Sequence, residues 1–445
     1  MSPSLPLWST GIAILAILSY RDLRVLFTAL IAALVANLFL PFSPFGITVT
    51  SQRLVSLVAL GVCLALFLQG RIAIPRPNGS QLGFAVTYGV LVAIHALHLI
   101  ASPSGMPLSS LLGAALNPLL FYLSLILLHN LRPEDRRSLF TRWLPCAVLA
   151  VMTVLVGSWM IEMLARSDLG ATDFQQRYRM RNTEGRNIVN VWGASLVLAV
   201  PFIWQPLFTS VRLRWKAVSF LAVGITILAV ILTFSRAALF ATGVLVGGVL
   251  LLVVIGRVRE AKLKPRLGWL QGASRLAAVL GLAGSACLAL EWAGLPVVDW
   301  AVERTRPVLA GTDRSLQVRL SRYETAKELL EGLPVLGYGP GAETIERLPE
   351  NTLIFITLHY GALALACLIV MLSVIGWQLA VYWWPRRDHP YAAAWPAAYL
   401  AYIFLLLTND FLFFSMGTIL LATTTFATTG RTVEVPTEPS RQVGP

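Results

Sequence analysis

Ionisable residues are scarce in this chain. Of its 445 residues only 13% are charged, 22 acidic against 35 basic, and that shortage excludes an ordinary soluble globular fold. Cysteine is nearly missing as well. Cys63, Cys146, Cys287 and Cys367 have no CxxC spacing and each falls within an apolar run, so neither a disulfide nor a thiolate metal site is expected and they read as small packing residues. The first apolar run has no basic residue ahead of it and no clear small-residue cleavage site after it, and is expected to stay as a span. No P-loop, dinucleotide-binding glycine pattern or nucleic-acid module stands in an interpretable context. Nucleic acid is therefore not an expected partner.

What the chain has is apolar length. It is 56% hydrophobic, its mean hydropathy is +0.71, and its apolar runs repeatedly approach the roughly 20 residues that cross a bilayer. The reading is an all-α polytopic integral membrane protein with roughly 12–13 transmembrane helices. Spans are expected at about 6–20, 23–41, 52–69, 82–101, 108–129, 143–165, 188–208, 215–233, 236–255, 273–291, 351–384, 391–409 and 411–429. Residues 1–430 form one transmembrane domain on this reading, and 431–445, with Pro436, Pro439 and Pro445, a short disordered cytoplasmic tail.

The net charge of +13 is distributed by side rather than by patch. Alternate loops carry Arg21 and Arg24; Arg71 and Arg76; Arg132, Arg136, Arg137 and Arg142; Arg212, Arg214 and Lys216; Arg257 to Arg275; Arg386 and Arg387; and the tail. Basic residues collect on the cytoplasmic side, which places the N-terminus outside and the C-terminus inside. Two long segments, 166–187 and 292–350, then face outward. They break the rule for outer loops, with Arg166, Arg177, Arg179, Arg181 and Arg186 in the first and Arg304, Arg306, Arg314, Arg319, Arg322, Lys327 and Arg347 in the second. Individually such residues bind lipid headgroups; as a set they imply an anionic ligand, because the planar guanidinium makes bidentate contacts to phosphate oxygens.

Arg236 stands out among them. In Leu232-Thr233-Phe234-Ser235-Arg236-Ala237-Ala238 it sits between two apolar runs with hardly any loop. An unpaired charge at membrane depth costs at least a few kcal/mol, so this arginine calls for an anionic partner or an aqueous cavity. In the second outer segment, Leu316, Leu320, Tyr323, Lys327 and Leu330 recur at helical spacing, and Arg319 and Arg322 are neighbours at i,i+3, which predicts an amphipathic helix on the membrane surface over 316–331. Gly332-Leu333-Pro334 ends it, a mobile turn at 337–341 is expected next, and Glu343, Glu346, Glu350 and Asn351 lead back to the membrane.

In this order the motifs resemble the O-antigen ligase and O-antigen polymerase superfamily. The family's outer-loop arginine followed by an Asn-rich start to the next span is similar to Arg181 through Gly185 to Asn190 and Gly193. Its Thr-x-Ser-Arg motif corresponds to Thr233-Phe234-Ser235-Arg236. Its outer-helix Arg, aromatic and Pro-x-x-Gly-x-Gly turn correspond to Arg319, Tyr323 and Pro334 to Gly339, and its His-Asn turn to Glu350-Asn351, with Leu353 and Gly361 after it. The likeness covers about 175–375 by motif and the rest by hydropathy only.

The resemblance implies a metal-independent, cofactor-free glycosyltransferase of the bacterial inner membrane with its active site facing the periplasm. It would take an undecaprenyl-diphosphate-linked glycan and pass it to a lipid A–core acceptor or, as a polymerase, to a second lipid-linked glycan. Arg181 or Arg186 with Arg236 would hold the diphosphate, and Arg319 a phosphate or the acceptor. Glu350 would act as base or orienter where the family usually has His, and Arg322, Asn190, Ser235, Tyr323 and Asn351 would support them. A carboxylate can also take a proton from an attacking hydroxyl. A flippase or anion transporter is the rival class, and internal pseudo-repeats would favour it, but none is evident.

Three histidines invite other readings. His95 and His98 stand at i,i+3 without a local carboxylate or Cys, which predicts packing or a helix–helix hydrogen bond rather than metal. His359 lies on the same predicted helix as Asn351, roughly 12 Å further along, as a fallback base. Asn409-Asp410, in the outward turn between the last two spans, reads as solvated, with a supporting role near the acceptor as the alternative.

Overall fold

The structure is a computed structural model that describes the chain except for residues 1–4, 37–49, 102–107, 166–187, 210, 259–267, 293, 296, 300–301, 303–305, 307–309, 311, 313, 340–350, 387–389, 409–414 and 429–445. Its elements are α1 (Leu5–Arg21), α2 (Leu23–Ala36), α3 (Ser51–Leu68), α4 (Gly79–Ala101), α5 (Leu108–Asn130) and α6 (Leu144–Leu164), the last reached through a short helix and one π turn at Leu139–Trp143. Then come α7 (Ile188–Ile203), α8 (Leu213–Leu232), α9 (Arg236–Val258), α10 (Gly268–Trp292), α11 (Arg314–Glu331), α12 (Thr352–Trp383), α13 (Ala394–Thr408) and α14 (Ser415–Ala427). No strand occurs among the described residues.

Six helical stretches are long and apolar enough to cross a membrane: α3, α4, the run Pro133–Met163 that contains α6, α8, α9 and α12. Shorter apolar helices within α1, α2, α5, α7, α10, α13 and α14 fall on the other expected spans. The fold is therefore all-α and polytopic. Its exterior is apolar, as lipid contact requires: Ile100, Ile161 and Trp377 are each more than 70% exposed. The interior is built around α14, whose residues are all buried, and α7. The α14 hydroxyls of Thr423, Thr424 and Thr425 donate to carbonyls one turn back, so a threonine-rich helix is buried without orphaned donors.

Helix starts follow the sequence closely. Asn78 and Gln81 form a reciprocal cap at α4, Asn78 Oδ1 accepting from Gln81 N at 2.9 Å and Gln81 Oε1 from Asn78 N at 3.0 Å. Thr50 caps α3 through Arg53 N.

The basic loops meet at one end of the bundle. Arg24 bridges Asp22 at 2.7 Å and Asp135 at 2.8 Å and lies over the Trp143 ring. Arg71 lies over Tyr20, Arg136 over Phe426 and Arg142 over Trp215, so arginines from separate loops share one rim. At the opposite end Trp192 Nε1 donates to Val35 O at 2.7 Å, Gln52 hydrogen-bonds Ser415, and Asn351 Nδ2 donates to Leu407 O at 2.9 Å.

One expected span is not a single rod. At Gly361 the backbone of α12 leaves helical geometry, with φ 80° and ψ 177°. Tyr399 of α13 packs on Gly376 and donates to Leu372 O of α12. Leu407, whose carbonyl holds Asn351, is about 12 Å above Tyr399 at helical rise, whereas Asn351 would be about 31 Å above Leu372 on a straight α12. The difference is absorbed at the break. Residues 352–360 turn off the helix axis and cross from α4, where Tyr360 meets His95, to the end of α13. Below the break, 362–383 run for about 33 Å, close to the hydrocarbon thickness of a bilayer.

If the basic end is cytoplasmic, Val335→Cys in a Cys-free background should react with a membrane-impermeant maleimide added outside intact cells, and Arg132→Cys only after permeabilisation. The inverse pattern would reverse the orientation.

Candidate functional site

The link from α8 to α9 is three residues long, Thr233 to Ser235, and one of them is strained. Thr233 closes α8, its N–H reaching Ala229 O and its hydroxyl donating to Val230 O at 2.7 Å. Phe234 then takes φ 50°, a left-handed conformation that a bulky L-residue adopts at a cost of roughly 1–2 kcal/mol. Ser235 starts α9: its N–H donates to Thr233 Oγ1 at 3.2 Å, and its carbonyl accepts from Leu239 N at 2.9 Å. Arg236 is the first helical residue and is half-buried. Its guanidinium thus joins the partial positive charge of a helix N-terminus, a combination suited to an anion.

α7 enters the crook of this turn. A Cβ on Gly193 would stand 2.9 Å from Ala238 Cβ, 3.2 Å from Thr233 Oγ1 and 3.4 Å from Ser235 Cβ. Only glycine lets α7 approach so closely, and Trp192 beside it is anchored to α2.

Asn351 caps α12, its Oδ1 accepting from Leu353 N at 2.9 Å and Ile354 N at 3.3 Å while its amide holds Leu407 O. α9 packs on the same α13, with Gly248 against Ala397. Counting rise from that contact puts Arg236 about 18 Å and Leu407 about 15 Å toward the same end. Arg236 and Asn351 therefore stand at similar height on helices that both pack against α13.

The turn after α11 docks into the break of α12. A helix interrupted at Gly361 leaves the carbonyls of Leu358 and His359 without their usual donors; Tyr338 N supplies the first at 2.7 Å and Gly339 N the second at 3.1 Å. The approach is backbone to backbone. A Cβ on Gly361 would fall 2.2 Å from Val335 O, and one on Gly337 2.5 Å from the His359 carbonyl carbon. The glycine turn expected to be mobile is, over 334–339, held against the bundle. His98 Nε2 and Leu336 O are 3.1 Å apart, His359 Nδ1 and Gly339 O 3.0 Å, and Tyr338 donates its hydroxyl to Leu329 O at 2.9 Å. His95 makes the expected helix–helix bond, to Tyr360, but His98 serves the turn after α11 instead.

α11 contacts the start of α12 through a face other than the one its leucines marked. Ala326 is buried against Leu358, with Leu329, Leu333, Tyr338 and Ile354 around them. Leu320, Tyr323 and Leu330 are 57%, 40% and 40% exposed, as apolar side chains of a membrane-surface helix are. Arg322 is half-buried on this helix. Arg181, Arg186 and Glu350, like Asn409-Asp410, lie outside the described residues, as do the side chains of Asn190 and Arg319, whose backbones belong to α7 and α11.

A scan against protein-family models gives no match for this chain, and neither does a search of curated proteins. Sequence reasoning missed His98 and the partnership of Gly337 with Gly361; the signal was the glycines themselves, which mark close approach as well as flexibility.

Gly193→Val should force α7 away from the turn. The expected cost is about 1–3 kcal/mol of overpacking, read as a lowered unfolding temperature in detergent. A variant as stable as the parent would mean that the crook relaxes freely.

Proposed function

We propose that the chain is a membrane glycosyltransferase of the O-antigen ligase type, which moves an undecaprenyl-diphosphate-linked glycan to an acceptor sugar hydroxyl at the periplasmic face. The observation that carries this reading is the Thr233–Arg236 turn, a strained three-residue link that presents Arg236 at a helix N-terminus on the end opposite the basic loops. The order of motifs around it supports the family assignment.

In the reaction, the acceptor oxygen bonds to the anomeric carbon as the bond from that carbon to the diphosphate oxygen breaks. The electron pair leaves with the diphosphate. Arg236, with Arg181 or Arg186, stabilises the charge that grows there, where fixed cations contribute most. Arg319 holds a phosphate or the acceptor, Arg322, Ser235, Asn190, Tyr323 and Asn351 support the binding groups, and Glu350 takes the hydroxyl proton. The electrophile needs no metal on this reading because guanidinium groups supply the positive charge.

Arg236→Ala should lower transfer from a purified polyprenyl-diphosphate glycan by at least roughly 10²-fold while the protein inserts normally. Lys should restore only part of the loss, lacking the bidentate fork. Full activity in the alanine variant would sink the phosphate-clamp role. Glu350→Gln should cost roughly 10²–10⁴-fold in turnover and Glu350→His less. Equal activity of Gln and parent would reduce Glu350 to a turn residue. In a deletion strain, unlinked long glycans support the ligase reading, whereas single repeats indicate a polymerase and inward-facing lipid-linked glycan a flippase.

A further inference from the structure

The segment made of α11 and the 334–339 turn is held to the bundle lightly by apolar contact. Among the described residues its hydrophobic cluster has only Ala326 and Leu358 fully buried, and α11 is otherwise a polar helix on which Leu320 and Leu330 are exposed. What ties it down is a compact set of hydrogen bonds at the turn, and two of them come from histidines on different helices.

Their chemistry is directional. A carbonyl oxygen can only accept, so His98 must carry hydrogen on Nε2 to bond Leu336 O, and His359 must carry it on Nδ1 to bond Gly339 O. In their neutral forms the two rings are therefore opposite tautomers. The His98 ring also lies flat enough on Gly339 that a Cβ there would be 2.8 Å from Nδ1. One histidine grips the turn from α4 and the other from the crossing piece of α12, on either side of the Tyr338 and Gly339 amides already bonded to α12.

We propose that His98 and His359 are positioning residues, a two-sided clasp that holds the α11 segment, and with it Arg322 and Tyr323, over the bundle end that carries Arg236 and Asn351. The link to catalysis rests on the proposed glycan transfer; the clasp itself does not. Undoing it releases the segment without touching the Thr233–Arg236 turn.

The test uses the full-length protein in membranes, Cys-free apart from Ala326→Cys, whose site is buried while the segment is docked. Labelling by an impermeant maleimide reads docking. His98→Leu and His359→Leu together should speed labelling roughly tenfold to a hundredfold, the change expected from losing two hydrogen bonds, and each alone should give part of it. Asparagine places its amide near the Nδ1 position and glutamine near Nε2. His98→Gln and His359→Asn should therefore stay protected, whereas the exchanged pair, His98→Asn and His359→Gln, should label like leucine. A general packing role would not distinguish these pairs. Protection in the leucine variants equal to the parent's, or equal labelling of the matched and exchanged amides, overturns the clasp. Glycan transfer should fall in step with labelling; transfer that stays at the parent level in an undocked variant overturns the positioning role. A parent chain that transfers nothing would overturn the function, and labelling would still decide the clasp.

Discussion

A helix interrupted at the edge of a membrane has carbonyls that lipid cannot satisfy, and every such group must find a donor within the protein. Gly361 imposes that requirement here, and the rest of the candidate site is arranged around its solution. The Tyr338 and Gly339 amides take the carbonyls of Leu358 and His359, which fixes where the turn after α11 sits. The turn in turn fixes α11 through Tyr338 and Leu329. Because the break also redirects 352–360 across the bundle, Asn351 arrives at the end of α13 rather than far above it. One non-helical residue thus sets the position of α11 and of the capped start of α12 at Asn351.

The second point of close approach is independent of the first. Gly193 admits α7 into the crook between α8 and α9, and the nearly fully buried α7 ties that crook to α2 through Trp192. Both devices lie at the end away from the basic rim. That rim is a network of arginines on carboxylates and aromatic rings, whereas the opposite end is organised by backbone carbonyls, amides and glycines. The two ends differ in the physics that holds them as well as in charge.

Much of this could be read from residues alone. Apolar runs located the helices because length and hydropathy suffice for that, and alternating basic loops assigned them to one rim. Asn351 falls at the start of an expected span because the apolar run begins there, and the structure adds that it caps the helix. The break at Gly361 was invisible: hydropathy is continuous through 351–384, and glycine is frequent within membrane helices. The turn at 337–339 was misjudged for a related reason, since glycine signals both freedom and close contact, and only the partner backbone, some twenty residues away in sequence, shows which. His98 read as a packing residue because its partner is a main-chain carbonyl, which leaves no mark in side-chain pattern.

The Thr233–Arg236 turn carries two features that work against stability. Phe234 holds a left-handed conformation that glycine would adopt without strain. Arg236 places a cation at the N-terminus of α9, where the helix dipole disfavours positive charge. Either alone could be incidental to packing, and the phenyl ring is indeed buried. Together, within four residues and braced by a glycine contact that allows no side chain, they describe a place where the fold tolerates strain and like charge. An anion acts on the second feature alone: at the end of α9 it would align with the helix dipole, which gives a physical reason for the turn to be held as tightly as it is.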